Sequence, residues 1–282
     1  MSTIEAIILG IVQGITEFLP ISSTGHVTLT GKLMNLISNE NPEKWTSFLA
    51  IIQLGTLLAV LIYFWKDIIN IFRDFIIENI NRRKTFSDQS LNSKLGWLII
   101  LGSIPIFTLG ILFKELIEGP LTKNLYVITF SILFFAALLA LAEKIASFKK
   151  EMKDISVKDA LLIGLAQVFS LVPGASRSGV TMTGGMFVGL NREAAARFSF
   201  LISIPAVFAS GLFQLSEALS FLDSSMIESL VIATIFSALS GYLAIDFLLK
   251  FLKKRSTFIF VYYRVLLGIL IIVLLFSNII NP

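Results

Sequence analysis

The sequence predicts an all-α protein: a polytopic integral membrane helical bundle with inverted-topology repeats and two re-entrant helix-loop-helix hairpins. Three observations carry this reading. The first is composition: 55% of the 282 residues are hydrophobic, 15% are charged and 25 are Phe, where a soluble domain carries about 25% charged residues. Mean hydropathy is +0.85. The second is a series of apolar segments of spanning length. The third is a pair of polar, glycine-punctuated stretches, set among those segments, that repeat one another.

A helix needs about 20 apolar residues, at about 1.5 Å each, to cross roughly 30 Å of hydrocarbon. Five or six segments qualify, near 46–65, 95–113, 125–145, 194–214, 228–250 and 257–277. The opening MSTIEAII lacks a basic region and carries Glu5, so no cleaved signal peptide is expected. The absence of Cys excludes disulfides and thiolate chemistry. The net charge of +4 is modest. No basic patch is interleaved with exposed aromatics, so nucleic acid is not an expected partner.

The repeated stretches run from Gly10 to Gly31 (GIVQGITEFLPISSTGHVTLTG) and from Gly164 to Gly185 (GLAQVFSLVPGASRSGVTMTGG). At an offset of 154 residues, Gly10/Gly164, Gln13/Gln167, Ser22/Ser176, Gly25/Gly179 and Gly31/Gly185 coincide. Thr16/Ser170 and Thr24/Ser178 nearly do. Neither stretch is long enough to span: Ile4–Phe18 makes about 22 Å of helix and His26–Ile37 about 18 Å. The turns PISSTG and PGASRSG break them. Non-helical backbone at membrane depth is tolerated only inside protein or along a wet cavity. A duplicated broken segment of this kind points to a binding site at the repeat interface.

Lys and Arg mark cytoplasmic connections. Six lie in 66–94 (Lys66, Arg73, Arg82, Arg83, Lys84, Lys94) and four in 146–158 (Lys149, Lys150, Lys153, Lys158). Lys250, Lys253, Lys254 and Arg255 form a further cluster, whereas 215–227 has none and carries Glu217 and Asp223. Counting spans between these loops brings the first hairpin in from outside and the second from the cytoplasm. The halves, approximately 1–145 and 146–282 of one membrane domain, are then inverted, with both termini outside.

Gln13 and Glu17 are four residues apart and share a helix face. A carboxylate within a membrane segment is costly and reads as functional. His26 is the only histidine; it suits acid–base work or metal ligation, and Ser22, Ser23 and Thr24 stand just before it. A Ser beside a His is a nucleophile–base arrangement. In the second stretch, Ser176, Arg177, Ser178 and Thr181 surround Gly174 and Gly179. Glycines let backbone N–H groups approach an anion, and the guanidinium fork matches phosphate. Together these are the components of phosphoryl chemistry: a clamped anion, neutralised charge and an activated nucleophile.

Each feature has a plainer reading. Thr28, Thr30 and Gly31 suit close helix packing. Glu17 could be a structural ion-pair partner of Arg177, and a lone His is often structural. Arg192, Glu193 and Arg197 suit cap or interface roles. Lys32, Lys144, Asp246 and Arg264 lie near predicted span ends, where snorkelling suffices. Gln53, mid-span in AIIQLGT, requires a partner for its amide.

The chain resembles the bacterial undecaprenyl-diphosphate phosphatases of the bacitracin-resistance family. Gln13 and Glu17 match the family's first motif (Glu or Gln, three residues, Glu), which continues as FLPISSTGH from Phe18 to His26. Pro173 to Thr181 matches PGxSRSxxT. Ile52 to Val60, Gly184 to Gly189 and Phe198 to Pro205 extend the similarity along the chain. The resemblance implies a multi-pass enzyme of the bacterial inner (plasma) membrane, its active site facing the periplasm or exterior. It would hydrolyse undecaprenyl diphosphate, recycling the lipid carrier for cell-wall synthesis and conferring bacitracin resistance.

Carried over by residue, Glu17, Ser23, His26 and Arg177 are catalytic: acidic group, nucleophile, its partner and phosphate-binding cation. Gln13, Ser22, Thr24, Gln53, Ser176, Ser178 and Thr181 are the substrate-binding candidates. A divalent cation, Mg²⁺ or Ca²⁺, is implied, with Glu17 as ligand. Many members carry Glu where this chain has Gln13, so diphosphate oxygens must supply more of the metal's shell here. The expected partners are undecaprenyl diphosphate and the bilayer; a homodimer is compatible with the sequence. The competing function is a secondary transporter or lipid-carrier flippase, since inverted repeats with broken helices are common there. A phosphatidic-acid-type phosphatase needs two histidines, and the chain has one.

Overall fold

A computed structural model describes residues 1–37, 42–113, 124–219 and 224–280. Asp223 of the acidic 215–227 connection lies outside them. The described residues fold into helices α1 (Thr3–Phe18), α2 (Ser23–Leu33), α3 (Pro42–Tyr63), α4 (Trp65–Ile76), α5 (Leu91–Leu112) and α6 (Leu125–Ile145). The second half supplies α7 (Val157–Val168), α8 (Arg177–Phe187), α9 (Arg192–Ala218), α10 (Ser224–Leu252) and α11 (Phe258–Phe276). Six segments are long and apolar enough to cross a membrane: Trp45–Tyr63, Leu91–Leu112, Leu125–Ile145, Arg192–Ala218, Met226–Leu252 and Phe258–Phe276. The chain is an all-α, multi-pass membrane bundle. Its outer surface carries large apolar side chains such as Ile111 and Phe276, 78% and 80% exposed, as a lipid-facing surface requires.

The repeated stretches form two short-helix hairpins, α1–α2 and α7–α8. Their starts are built alike. Ser2 caps α1, and Glu5 returns a carboxylate oxygen to the Ser2 N–H at 2.7 Å. Ser156 and Asp159 repeat this capping box on α7, with a 3.0 Å bond. The breaks match as well. Ser22 and Ser176 cap α2 and α8 at φ of 78° and 70°, and their hydroxyls accept from Gly25 and Gly179 N–H, each at 3.2 Å. Positive φ is uncommon in a non-glycine residue and clusters at functional sites. Helix α2 begins at Ser23, three residues earlier than the expected start at His26, because the Ser22 cap fixes its first turn.

Each hairpin packs on the other half of the chain. A Cβ on Gly10 of α1 would stand 2.3 Å from the Ala233 carbonyl oxygen of α10, and one on Gly164 of α7 would stand 2.1 Å from that of Gly102 in α5. Only glycine permits such backbone approach. The main core gathers Phe18, Phe64, Phe198 and Phe200 with residues of α6, α10 and α11. Ion pairs tie the ends of the long helices. Arg192 forks onto buried Glu143, which also accepts from the Thr257 hydroxyl at 2.8 Å; Arg197 meets Asp67 at 2.7 Å and Lys253 meets Glu193 at 3.3 Å. The interface roles expected of Arg192, Glu193 and Arg197 are those observed.

Candidate active site

The two hairpin turns meet at the polar end of a cavity of about 700 Å³. Glu17, on the last turn of α1, organises that end. Its Oε2 accepts from Gln13 Nε2 and from Ser23 Oγ, both at 2.8 Å, and its Oε1 pairs with the Arg177 guanidinium. The pair is nearly enclosed, the Glu17 side chain being 4% and the Arg177 side chain 17% exposed. Gln13 reaches Glu17 because four residues bring them to one helix face. Ser23 reaches it because the Ser22 turn folds the first residue of α2 back over the end of α1. Arg177 is the first residue of α8, delivered from the other half by the matching turn at Ser176.

Of the residues singled out by sequence, Glu17, Ser23, Thr24, Gln53, Ser176 and Arg177 line the cavity. Gln13, Ser22, Ser178 and Thr181 stand behind it. The Ser178 hydroxyl donates to the Leu19 carbonyl at 3.1 Å, joining the second hairpin to the first, and Thr181 Oγ1 donates to the Arg177 carbonyl at 2.7 Å. His26 does not line the cavity. It faces α11, with Nδ1 2.7 Å from the Ser22 carbonyl oxygen and Nε2 2.7 Å from the Tyr263 hydroxyl. The structure therefore brings Glu17, Ser23 and Arg177 together and sets His26 on the far side of the Ser22 turn.

Three residues were missed or misplaced by sequence reasoning. Thr28 lines the cavity, is 1% exposed, and its hydroxyl has no hydrogen-bond partner among the described residues. Its spacing of four from Thr24 was the signal that could have found it. Tyr263 carries no motif at all. Arg264 does not snorkel: it is fully buried and donates to the carbonyls of Ile132, Gly174 and Ala175 at 3.1–3.2 Å. Arg264 lies nearly two turns inside α11, where the Gly174 turn packs over it.

The rest of the cavity wall is mostly apolar, from α3 (Leu49, Ala50), α5 (Ile106, Phe107, Ile111) and α9 (Ala206, Ala209, Phe213), with Thr46, Ser210 and Gln214 set among these side chains. Helices α5 and α9 touch just before their internal prolines, Pro105 and Pro205, where a Cβ on Gly102 would meet the Ile202 side chain at 2.4 Å. The cavity lining on both helices begins immediately after those prolines. A proline removes a backbone bond and crowds the preceding turn, which lets the two walls part there.

Glu17 is surrounded by the Gln13 amide, the Ser23 hydroxyl and the Arg177 guanidinium, and no cluster of three His, Asp or Glu side chains occurs among the described residues. One carboxylate with hydroxyl neighbours fits a hard cation that retains water and draws its remaining oxygens from a phosphorylated ligand.

Comparison with known proteins identifies the family. The family model for "Bacitracin resistance protein BacA" matches residues 6–270. A protein of Syntrophobacter fumaroxidans named undecaprenyl-diphosphatase is 56% identical over 95% of each chain. Proteins of the same name from Chlorobium phaeovibrioides and Myxococcus xanthus are 48% and 43% identical over the whole of this chain, covering 100% and 92% of theirs. With the match running through both hairpins and all of the long helices, the chain belongs to the BacA bacitracin-resistance family.

Proposed function

We propose that the chain hydrolyses undecaprenyl diphosphate to undecaprenyl phosphate and inorganic phosphate, returning the lipid carrier to cell-wall synthesis and, in excess, protecting against bacitracin. One observation carries the reading: Ser23 and Arg177 converge on Glu17 at the charged end of a cavity whose remaining wall is mostly apolar. That division suits a ligand with an anionic head and a long hydrocarbon tail.

The terminal phosphate displaces the Glu17 carboxylate from Arg177 and takes the guanidinium fork, with the Ser176 turn alongside. Glu17, still 2.8 Å from Ser23 Oγ, accepts the hydroxyl proton. Ser23 Oγ bonds to the terminal phosphorus, the bond to the bridging oxygen breaks, and undecaprenyl phosphate departs on that oxygen. Water then hydrolyses the phosphoserine, and phosphate leaves. Arg177 stabilises charge on the equatorial oxygens throughout. Glu17 would also hold the divalent cation, Mg²⁺ or Ca²⁺, which supplies neutralisation of the diphosphate charge when bound.

We further place the protein in the bacterial inner membrane, with its halves inverted and the cavity facing outward. The lining segments of α5 and α9 sit in their C-terminal halves, far from the basic 66–94 and 146–158 connections that mark the cytoplasmic side.

The decisive experiment is phosphate release from undecaprenyl diphosphate by detergent-purified protein without any gradient, with Mg²⁺ or Ca²⁺ and then with EDTA. Metal-dependent release, with acid-stable phosphoprotein that disappears in Ser23→Ala, is the expected result. No release from folded parental protein would overturn the enzyme and favour a carrier.

A further inference from the structure

Two adjacent residues of α11 reach both hairpin turns. The Tyr263 hydroxyl is 2.7 Å from His26 Nε2, and His26 Nδ1 is 2.7 Å from the carbonyl of Ser22. A carbonyl only accepts, so Nδ1 carries a hydrogen, and in the neutral ring Nε2 accepts from the Tyr263 O–H. Arg264, the next residue, serves the other turn. Its Nη2 donates to the carbonyls of Gly174 and Ala175 at 3.2 and 3.1 Å, and its Nε donates to Ile132 of α6 at 3.1 Å.

Ser176 has φ of 70°, a conformation a non-glycine residue does not favour, and it follows a turn at Gly174 with φ of 89°, so the segment that presents Arg177 needs outside support at Ser176. Arg264 binds the two carbonyls between those residues. Its remaining nitrogen, Nη1, is buried without a hydrogen-bond partner among the described residues, and a Cβ on Gly179 would stand 3.1 Å from it. A guanidinium so enclosed, with no carboxylate against it among the described residues, is costly. Snorkelling would avoid that cost, yet the side chain turns inward. Successive helix residues diverge by about 100°, so one short stretch of α11 sends one side chain to each turn.

We propose that Tyr263 and Arg264 are positioning residues that register the two hairpin turns against one another. Tyr263 holds His26, and through it the Ser22 turn that delivers Ser23 to Glu17. Arg264 holds the Gly174–Ala175 segment that delivers Ser176 and Arg177 to the phosphate, and its buried charge favours an anion there. The kinetic part rests on the diphosphatase reading; the contact to His26 does not.

His26 is the only histidine, so imidazole nitrogen NMR on the full-length protein in detergent or nanodiscs reports this ring alone. In Tyr263→Phe, which removes one hydroxyl, the Nε2 resonance should move downfield as its hydrogen bond is lost, and kcat should fall about 5-fold with KM unchanged. In Arg264→Lys, which keeps the charge but loses the fork, KM should rise and inhibition by inorganic phosphate weaken, each about 10-fold. Misfolding alone would lower apparent kcat in both variants and leave KM, phosphate inhibition and the His26 resonance of the folded fraction unmoved. That pattern, or an unshifted Nε2 resonance in Tyr263→Phe, overturns the proposal. If the parental protein releases no phosphate, the diphosphatase reading fails, and the resonance still decides whether Tyr263 holds His26.

Discussion

Ser22 in the first hairpin and Ser176 in the second hold the same place in the repeat, adopt the same left-handed backbone and cap their helices with bonds of equal length. The residues around them differ in kind. At the repeat offset, Glu17 faces Leu171, Ser23 faces Arg177 and His26 faces Val180. Every position that carries the proposed chemistry has a partner of another class, whereas the positions that shape the turn are kept. Gln13 and Gln167 make the contrast most plainly. Gln13 binds Glu17 at 2.8 Å. Gln167, in the half where Leu171 stands at the position of Glu17, is fully buried with neither amide atom partnered among the described residues. Duplication supplied a scaffold that can place two side chains at membrane depth, and the site arises where the copies diverge.

That contrast can be broken most strongly at Arg177. Arg177→Ala should lower the single-turnover rate by about 10³-fold or more, while leaving Glu17 buried without its countercharge. A parental rate would show that the second hairpin contributes shape and no chemistry. The scaffold half of the comparison is tested at Gly10 and Gly164. Each Cβ would meet a backbone oxygen that cannot rotate away, so Gly10→Ala and Gly164→Ala should each cost about 1–3 kcal/mol, read by reversible unfolding in mixed micelles. Markedly unequal costs would mean that the hairpins are seated differently. The smallest effect sharpens the contrast by its sign. Gln167→Met removes an unsatisfied buried amide and should raise stability by about 1 kcal/mol, whereas Gln13→Met strips a partner from Glu17 and should lower both stability and rate. Equal losses from the two would place Gln167 among the functional residues.

The fold was largely legible because its signals are local. Span length, the broken segments and the hydroxyl-glycine turns all show in the order of residues, and the six apolar helices fall close to the expected ranges. Glu17, Ser23 and Arg177 were legible because membrane segments rarely carry such groups without cause. Arg264 and Tyr263 were not. Snorkelling requires an open path to water, and here the Gly174 turn, which comes from a distant part of the chain, packs over Arg264 nearly two turns inside α11. Thr28 was discounted for a similar reason: a hydroxyl on a small-residue helix face serves packing or a cavity according to what lies opposite, and that is fixed by tertiary structure.

The contact between Gly10 and Ala233 joins nearly opposite ends of the chain. During synthesis α1 leaves the ribosome first, yet the surface that seats it belongs to α10, among the last helices to be made. An isolated helix of this length carrying a carboxylate gains little from lipid, so the first hairpin must wait at the membrane until the second half arrives. Release of phosphate by a nascent chain should therefore begin late and abruptly, once α10 and α11 are both inserted. Chains arrested before that point would hold the reactive residues of both hairpins without the surface that seats the first.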